Sequence, residues 1–327
     1  MSDVYDILVI GAGPGGMAAG IYGSRARLKT AILEKGRAGG QAATTTEMEN
    51  YPGFFRETTG PGVMGEFEAH AAQFGTTFLK GNVTDVSLEG EVKTVTTSSG
   101  ETYQARSVIL APGAEPRTIG VPGEGKLRGK GVSYCATCDA DFFEELDVLV
   151  VGSGDSAIEE ALYLTKFVES VTVIVIHNEG VLDCNKRSAE KAFAHPKLKW
   201  VWNSVLEEIQ GEEMVEGVVV KNIRTGEKQT LEVNGVFVFI GMQPKTEFLK
   251  GKIELDNWGY IPTTEKMETN VPGVYAVGDA RAKYLRQVVT AAADGAIAAV
   301  AAEKFLEGHV EGRLTREDIA KLTAEGK

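Results

Sequence analysis

Two cysteines separated by two residues are the clearest candidates for chemistry in this sequence. The segment reads Cys135-Ala136-Thr137-Cys138, and Asp139 follows directly. This spacing allows a disulfide between the two sulfur atoms, and such motifs commonly lower the pKa of one thiol and so raise its thiolate fraction. A neighbouring carboxyl group can deliver or accept the proton that thiol exchange moves. We therefore interpret the segment as a redox-active dithiol, with Asp139 as its acid/base.

A zinc site is the alternative interpretation of the cysteine pair. A four-ligand zinc site needs a second pair of Cys or His residues. The chain has one further cysteine, Cys184, and the spacing of His177 and His195 matches no zinc pattern. The sequence therefore favours a disulfide, and with three cysteines in total it argues against a structural disulfide framework.

The elements that surround this pair contain an internal repeat. Residues 6–16 recur 141 positions later as residues 147–157, each copy being an apolar run followed by a glycine turn. A helix-like stretch and a second β-branched run follow each turn, at 17–27 and 30–33 in the first copy and at 158–167 and 171–176 in the second. The order strand, turn, helix, strand predicts a βαβ unit with a parallel sheet. Two such units predict an α/β protein with two three-layer, Rossmann-like dinucleotide-binding domains.

The glycines of the first turn have distinct roles in a dinucleotide site. Gly11 allows the tight bend, Gly13 lets a pyrophosphate approach the backbone, and Gly16 keeps the helix close to the strand. Free N–H groups at the helix start then bind the phosphates. Glu34 ends the second strand, where an acid hydrogen-bonds an adenosine ribose. The first copy therefore predicts a site for an adenine dinucleotide without a 2′-phosphate, which FAD and NAD both satisfy.

Charge and composition narrow the class of partner. The chain has 327 residues, with 34 Lys plus Arg against 46 Asp plus Glu, a formal charge of −12. This acidity argues against nucleic acid as a partner. No apolar run approaches the roughly 20 residues of a membrane-spanning helix, and the acidic start is unlike a signal peptide. We expect a cytoplasmic protein with no membrane partner.

A series of short motifs along the chain is similar to that of one known family. From Tyr5 to about Leu306 the chain resembles the low-molecular-weight thioredoxin reductases, FAD-containing flavoproteins of the pyridine nucleotide disulfide oxidoreductase group. In addition to the cysteine motif, the motifs that carry this resemblance are Gly11-Ala-Gly-Pro-Gly-Gly16, Gly39-Gly40-Gln41, Glu49-Asn50-Tyr51-Pro52-Gly53-Phe54, Ala111-Pro112-Gly113-Ala114, Gly278-Asp279 and Arg286-Gln287-Val288-Val289-Thr290-Ala291.

The resemblance implies a division of the chain into two domains. Residues 1–116 and 245–327 would form a discontinuous FAD-binding domain, and residues 117–244 an inserted domain with the dithiol and the second dinucleotide unit. The family also implies a homodimer and a thioredoxin or thioredoxin-like protein as the partner.

The resemblance also implies roles for individual residues. Cys138 would face the flavin, Cys135 would attack the partner disulfide, and Asp139 would act as acid/base. Asp279 would bind the ribityl chain, while Gln287 and Val288 would contact the isoalloxazine ring from the positive end of a helix. The remaining expected FAD contacts are Gly11, Gly13, Pro14, Gly15, Gly16, Glu34, Lys35, Gly40, Gln41, Asn50, Ala111, Pro112, Gly113, Gly278 and Arg286.

The second dinucleotide unit departs from the family pattern. Where the family has His-Arg-Arg and a further Arg, this chain has His177-Asn178-Glu179 and Asp183. Arginines at these positions grip a 2′-phosphate through charge-assisted hydrogen bonds. The sequence therefore argues against NADPH as a ligand. A site for NADH would need an acid at the end of the strand, and the only nearby acid, Glu179, lies three positions after that end.

This departure decides which electron donor we expect, and it leaves other functions open. A subgroup that resembles these reductases is reduced by ferredoxin and has lost the nicotinamide site, and we expect ferredoxin or another non-NADPH donor. Lys126, Arg128 and Lys130 are either a docking cluster for an acidic ferredoxin or an ordinary solvated loop. The alternatives for the whole protein are an NADPH-dependent thioredoxin reductase, a dithiol oxidase that uses oxygen, and a flavin-bound redox sensor without enzymatic activity.

Overall fold

The computed structural model describes residues 4–44, 48, 50–54 and 59–308. The chain divides into two compact units, with boundaries between residues 43 and 44, 60 and 61, 114 and 115, and 243 and 244. We call the unit with the first glycine turn the first unit, and the unit with the cysteine pair the second unit. Glu49 of the Glu49–Phe54 motif lies outside the described residues.

The helices and strands are numbered along the chain. The strands are β1 Tyr5–Ile10, β2 Thr30–Glu34, β3 Thr77–Lys80, β4 Val83–Ser87, β5 Lys93–Thr97, β6 Thr102–Leu110, β7 Ala114–Pro116, β8 Val132–Ser133, β9 Asp147–Val151, β10 Ser170–Ile174, β11 Leu198–Val201, β12 Ser204–Gln210, β13 Gly217–Asn222, β14 Lys228–Leu231, β15 Gly235–Val238, β16 Met242–Pro244 and β17 Val274–Ala276. The α-helices are α1 Pro14–Arg25, α2 Gly60–Gln73, α3 Ala136–Asp139, α4 Asp155–Leu164, α5 Lys186–Phe193 and α6 Val288–Gly308, and short 3-10 helices span Gly40–Thr44, Ala140–Phe143, Glu247–Leu249 and Gly278–Ala280.

The first unit is built on a sheet in the order β3-β2-β1-β6-β5-β4, with β17 also paired to β6. Strands β3, β2, β1, β6 and β17 run parallel, whereas β4 and β5 form an antiparallel extension. The long β6 serves both parts, because its first half pairs with β5 and its last residues pair with β17. The predicted unit β1-α1-β2 is present, and its strands meet in parallel register from Ile7 opposite Thr30 onward.

Helix α6 packs closely on α1 in this unit. A Cβ atom on Gly295 of α6 would lie 2.0 Å from the carbonyl oxygen of Gly15 in α1, so only glycine fits at this crossing. Residues 290–302 of α6 are rich in alanine. Small side chains therefore bring the two helices together beside the glycine turn.

The second unit contains a parallel sheet in the order β11-β10-β9-β15-β8 and an antiparallel sheet in the order β12-β13-β14. Alternate residues of β9 point to opposite faces, as the period of a strand requires. Val148 and Val150 join a core with Ile158 of α4, whereas Leu149 joins a core with Val218 of β13. The second predicted unit, β9-α4-β10, is thus the middle of a three-layer arrangement, which confirms the predicted fold class.

Strands β7 and β16 lie where the chain passes between the units, and they pair with each other in a two-stranded sheet. Within the part of the chain that the structure describes, no helix has the length and apolar character needed to cross a membrane.

Candidate active site

The first glycine turn has the backbone geometry that a dinucleotide turn requires. Gly11 has a φ of 104°, and a Cβ atom there would lie 2.2 Å from the carbonyl oxygen of Ala111. A Cβ atom on Gly16 would lie 1.9 Å from the carbonyl oxygen of Gly11. Both positions accept only glycine, because any side chain would collide with backbone.

The outer side of the same turn is open. A Cβ atom on Gly13 would meet no described atom within 4 Å. Gly13 is the N-cap of α1, Pro14 occupies the first turn, and no side chain caps the described helix start. The N–H groups at the start of α1 are thus available to an anionic group such as a pyrophosphate. Gly40 has a φ of 60° and lies against Gly13, so the predicted Gly40 and Gln41 adjoin this opening.

Matched glycine substitutions test this division of roles. Gly16→Ala is expected to destabilise the FAD-free chain by about 1–3 kcal/mol through overpacking. Gly13→Ala should leave the fold intact but weaken FAD binding by about tenfold or more, which is 1.4 kcal/mol or more. Thermal unfolding by circular dichroism and FAD titration by flavin fluorescence measure the two effects. Gly65→Ala, in an open position of α2, is the control; unchanged FAD affinity in Gly13→Ala would contradict the assignment.

Glu34 is held at the turn by two backbone contacts. Its Oε2 atom accepts a hydrogen bond from the N–H of Ala12 at 2.8 Å, and its Oε1 atom accepts one from Gly36 at 2.9 Å. The carboxylate is therefore fixed at the end of β2, where the sequence places the ribose of a dinucleotide. Lys35 beside it is exposed.

The segment after β6 closes another side of the turn. The N–H of Ala111 donates to the carbonyl oxygen of Ile10 at 2.8 Å, so the segment 111–113 continues the pairing of β6 with β1. Pro112 follows, and Gly113 has a φ of 73°. The chain thus bends at the carboxyl end of the sheet, where ligands bind in open α/β folds.

Asp279 has a buried carboxylate oxygen that can accept a hydrogen bond from a ligand. Its Oδ1 atom is buried without a hydrogen-bond partner among the described residues. Burial raises the pKa of this carboxyl, while the charges of Lys283 and Arg286 oppose the rise. A buried orphan acceptor in a native protein calls for a ligand or another explanation, and a ribityl hydroxyl would satisfy it.

The residues around Asp279 are tied into the same region. Arg286 donates from Nε to the Asp279 carbonyl oxygen at 3.4 Å, and its guanidinium lies over the Tyr260 ring at 4.2 Å. Gln287 immediately precedes α6, which begins at Val288. Its N–H donates to the Thr290 hydroxyl at 3.2 Å.

A buried charge cluster that no sequence motif indicates supports this region. Asp294 of α6 accepts hydrogen bonds from the N–H of Gly278 at 3.0 Å, from Arg281 at 2.8 Å and from Lys283 at 2.7 Å. Asp294 is 5% exposed. The cluster fixes the turn that carries Asp279.

Asn50 is the one predicted FAD residue that belongs to the second unit. Its Nδ2 atom donates to the carbonyl oxygen of Thr137, between the two cysteines, at 3.4 Å. The structure therefore groups Asn50 with the cysteine motif.

The two predicted redox cysteines are joined. Cys135 and Cys138 form a disulfide with a Cα–Cα distance of 5.3 Å, within the ordinary range for such bonds. Their sulfur atoms are bonded to each other, which favours the disulfide interpretation over zinc. Both residues are half-buried, and Cys184 is a free, half-buried cysteine.

Ser133 organises the acid beside the disulfide. Its hydroxyl donates to Asp139 Oδ2 at 2.6 Å and accepts the N–H of Cys135 at 3.1 Å. Burial raises the pKa of Asp139, and the hydrogen bond from Ser133 opposes the rise. A carboxyl group with a raised pKa can hold and release a proton closer to neutral pH. Ser133 lies two residues before Cys135, a proximity that is the only sequence signal for its role.

The second glycine turn has the same tight bend as the first, and side chains of its own unit form hydrogen bonds beside it. Gly152 has a φ of 133°, and a Cβ atom there would lie 2.4 Å from the carbonyl oxygen of Phe239. At the start of α4, Asp155 Oδ1 accepts hydrogen bonds from the backbone N–H and the Nδ2 atom of Asn185, at 2.7 and 2.8 Å. A carboxylate thus lies in the first turn of α4, next to the second glycine turn.

Asp183 adds a second negative charge to this turn. Its Oδ2 atom accepts a hydrogen bond from Ser153 at 2.7 Å and lies 2.7 Å from His177 Nε2. The hydrogen bonds from Ser153 and His177 lower the pKa of Asp183, so it stays ionised. Glu179, Lys186 and Arg187 are exposed. The turn is acidic where a 2′-phosphate would need cations.

Comparison with known proteins gives a consistent result. A family model described as pyridine nucleotide-disulphide oxidoreductase matches residues 5–295. The chain is 52% identical to a thioredoxin reductase of Peptoclostridium acidaminophilum over 317 residues, which cover 95% of this chain and 100% of the relative. It is 51% identical to a thioredoxin reductase of Peptoclostridium litorale, covering 94% and 98%. The crystal structure of a thioredoxin reductase from Streptococcus pyogenes superposes with a TM-score of 0.88 at 41% identity, covering 94% and 100%.

Proposed function

Since the chain belongs to the pyridine nucleotide-disulphide oxidoreductase family, we propose that it is an FAD-dependent thioredoxin-disulfide reductase. The observation that carries the proposal is the Cys135–Cys138 disulfide beside the half-buried Asp139. The open turn at Gly13 and the orphan oxygen of Asp279 fit FAD. We assign FAD binding to the first unit and dithiol chemistry to the second. The domain division that the resemblance implies, at 116/117 and 244/245, lies two residues and one residue from the boundaries of these units.

The chemistry of the dithiol follows from thiol exchange. When bound, FAD supplies the two electrons that open the disulfide. The Cys135 thiolate then attacks one sulfur of the partner's disulfide, forming a mixed disulfide and releasing the partner's other sulfur as a thiolate. Cys138, as a thiolate, attacks Cys135, which restores the disulfide and releases the second partner sulfur. Asp139, held by Ser133, is placed to exchange protons with the sulfur atoms during these steps.

The donor is proposed to be ferredoxin or another source than NADPH. The support is the second turn, where hydrogen bonds hold the carboxylates of Asp155 and Asp183 and no arginine follows His177 directly. Lys126, Arg128 and Lys130 are exposed in the second unit and offer positive charge to an acidic protein. Lys126 also pairs with Glu212 at 3.3 Å, so part of this charge is neutralised. One observation favours NADPH instead: a Cβ atom on Gly154, like one on Gly13, would meet no described atom within 4 Å.

An anaerobic donor titration tests the proposal. The purified, FAD-loaded protein is mixed separately with NADPH, NADH and reduced ferredoxin, and flavin absorbance is followed. We expect ferredoxin alone to bleach the flavin rapidly and to support reduction of thioredoxin. Rapid bleaching by micromolar NADPH would overturn the donor assignment. If the protein produces peroxide from a small dithiol and does not reduce thioredoxin, it is a dithiol oxidase and not a reductase.

The assembly and location are also proposals. We propose a cytoplasmic protein, as the sequence predicts, and a homodimer, as the family resemblance implies. Val289, Ile297 and Val300 are exposed apolar side chains of α6, and spacings of eight and eleven residues place them on one side of that helix. Such a stripe supports contact with a second copy.

A further inference from the structure

Glu160 of α4 places a second carboxyl group at the cysteine motif. Helix α4 packs against α3, the single helical turn that contains Cys138. The Glu160 carboxyl interacts with the backbone N–H groups of Ala136 and Thr137, the two residues between the cysteines. It therefore lies at the centre of the motif, although it is 22 residues from Cys138 in the sequence.

The carboxyl group of Glu160 is also confined. Its Oε2 atom is buried and has no hydrogen-bond partner among the described residues. Burial raises the pKa of Glu160, the N–H groups of Ala136 and Thr137 oppose the rise, and the charge of Glu159 adds to it. Tyr163 and Asp141 also face this group: burial raises the pKa of Tyr163, and the charges of Asp141 and Glu160 add to the rise.

The N–H groups that Glu160 engages would otherwise favour a negative sulfur. Cys135 directly precedes α3 in extended conformation, with φ −150° and ψ 104°. Unpaired N–H groups and nearby positive charge lower a thiol pKa, whereas a nearby negative charge raises it. A carboxylate at this turn therefore competes with the Cys135 thiolate for the same N–H groups and repels its charge.

We propose that Glu160 is a positioning residue for the dithiol, whose negative charge at the turn between the cysteines disfavours the Cys135 thiolate. The inference rests on the proposed function, in which Cys135 and Cys138 carry electrons to a partner. A dithiol whose reduced form is stabilised by an easily formed thiolate is a strong oxidant. Glu160 has the opposite effect and keeps the pair reducing, as a reductase requires.

Alkylation of the reduced protein tests this charge effect. The full chain carrying Cys184→Ser is reduced with dithiothreitol, and iodoacetamide labelling of Cys135 is measured by peptide mass spectrometry across pH. We expect Glu160→Gln to lower the midpoint of labelling by about one pH unit, because a like charge is removed. The midpoint potential of the disulfide should become less negative. Glu159 is the exposed neighbour in the same helix, and Glu159→Gln should change neither the labelling midpoint nor the midpoint potential. For Glu160→Asp, which keeps the charge, both quantities should stay near those of the parent.

Three results would overturn the proposal. One is an unchanged labelling midpoint in Glu160→Gln, and another is an equal shift in Glu159→Gln, which would indicate a diffuse charge effect. The third needs no variant: the amide proton shifts of Ala136 and Thr137 in the unmodified chain should titrate together, above the ordinary pKa of glutamate, and a flat profile contradicts the contact. None of these measurements requires thioredoxin or an electron donor, so they stand apart from failure of the proposed function.

Discussion

Cys138→Ser is expected to abolish thioredoxin reduction, with a loss of at least about a thousandfold in turnover, the scale seen when a covalent nucleophile is removed. The reason is that, in the proposed reaction, the disulfide of Cys135 and Cys138 accepts the electron pair. A serine oxygen can neither form this bond nor be reduced. Flavin reduction by the donor should continue, because the change leaves the residues of the first unit intact.

The two single variants should differ in how they trap the partner. With Cys138→Ser, the remaining Cys135 is expected to form a mixed disulfide with a thioredoxin-like protein that no second sulfur resolves. With Cys135→Ser the same loss of turnover is expected, but without the stable adduct. Non-reducing electrophoresis and intact-protein mass spectrometry distinguish the two outcomes.

Cys184→Ser provides the matched control. Cys184 is half-buried against the α4 core, and burial raises the pKa of its thiol. A protonated, packed thiol is a poor nucleophile, so this variant should turn over within about twofold of the parent, as surface or packing changes away from a site commonly do. Turnover by Cys138→Ser within tenfold of the parent would remove the disulfide from the reaction and favour a redox sensor.

The parts of the molecule that the sequence predicts are those that depend on local pattern. The turn at Gly11 and its repeat at Gly152 are recognisable because positive φ and a close backbone approach exclude side chains there. The pair Cys135 and Cys138 is recognisable for a similar reason, since three residues of separation suffice to bring the sulfur atoms together. These features need no knowledge of distant contacts.

The supporting residues could not be found in this way. Glu160 reaches the cysteine motif only because α4 packs on α3, and a pair of glutamates in a helix reads as a solvated face. Asp294 is one acid in an alanine-rich helix, and its partners Arg281 and Lys283 lie in the loop before that helix. Tertiary packing determines both contacts, and the pattern along the chain carries no sign of it.

The second dinucleotide turn lies between these cases. The sequence shows that cations are missing after the strand, where His177 is followed by Asn178 and Glu179. It does not show that Asn185 bonds Asp155 across 30 residues, or that Asp183 bonds Ser153 in the turn itself. The lack of arginines can be seen in a motif, whereas the contacts that Asp155 and Asp183 make depend on the folded loop.

Asp294→Ala is expected to produce the largest loss of stability among single substitutions away from the cysteines, about 3–5 kcal/mol, the range for breaking a buried ion pair. Asp294 and Lys283 each have side chains 7% exposed, and that of Arg281 is 15% exposed. Removal of the carboxylate leaves two buried cations and the N–H of Gly278 without their acceptor. The turn at Asp279 should loosen as well, and FAD content should fall.

An exposed ion pair in the same unit supplies the comparison. Glu247 pairs with Lys250 at 2.7 Å, and their side chains are 81% and 65% exposed. Glu247→Ala should therefore cost at most about 1 kcal/mol, because solvent screens such pairs. Urea unfolding of the FAD-free proteins, followed by circular dichroism, gives the two free energies without the stabilisation that bound ligand adds.

A third variant separates charge from hydrogen bonding at this position. Asp294→Asn keeps an oxygen that can accept the N–H of Gly278 but cannot neutralise Arg281 and Lys283. If the charge is what matters, Asp294→Asn should lose nearly as much stability as Asp294→Ala. Near-parent stability would show that the hydrogen bond to Gly278 is sufficient, and that the two cations find solvent or another acceptor when the carboxylate is gone. Equal losses for Asp294→Ala and Glu247→Ala would contradict a buried charge cluster altogether.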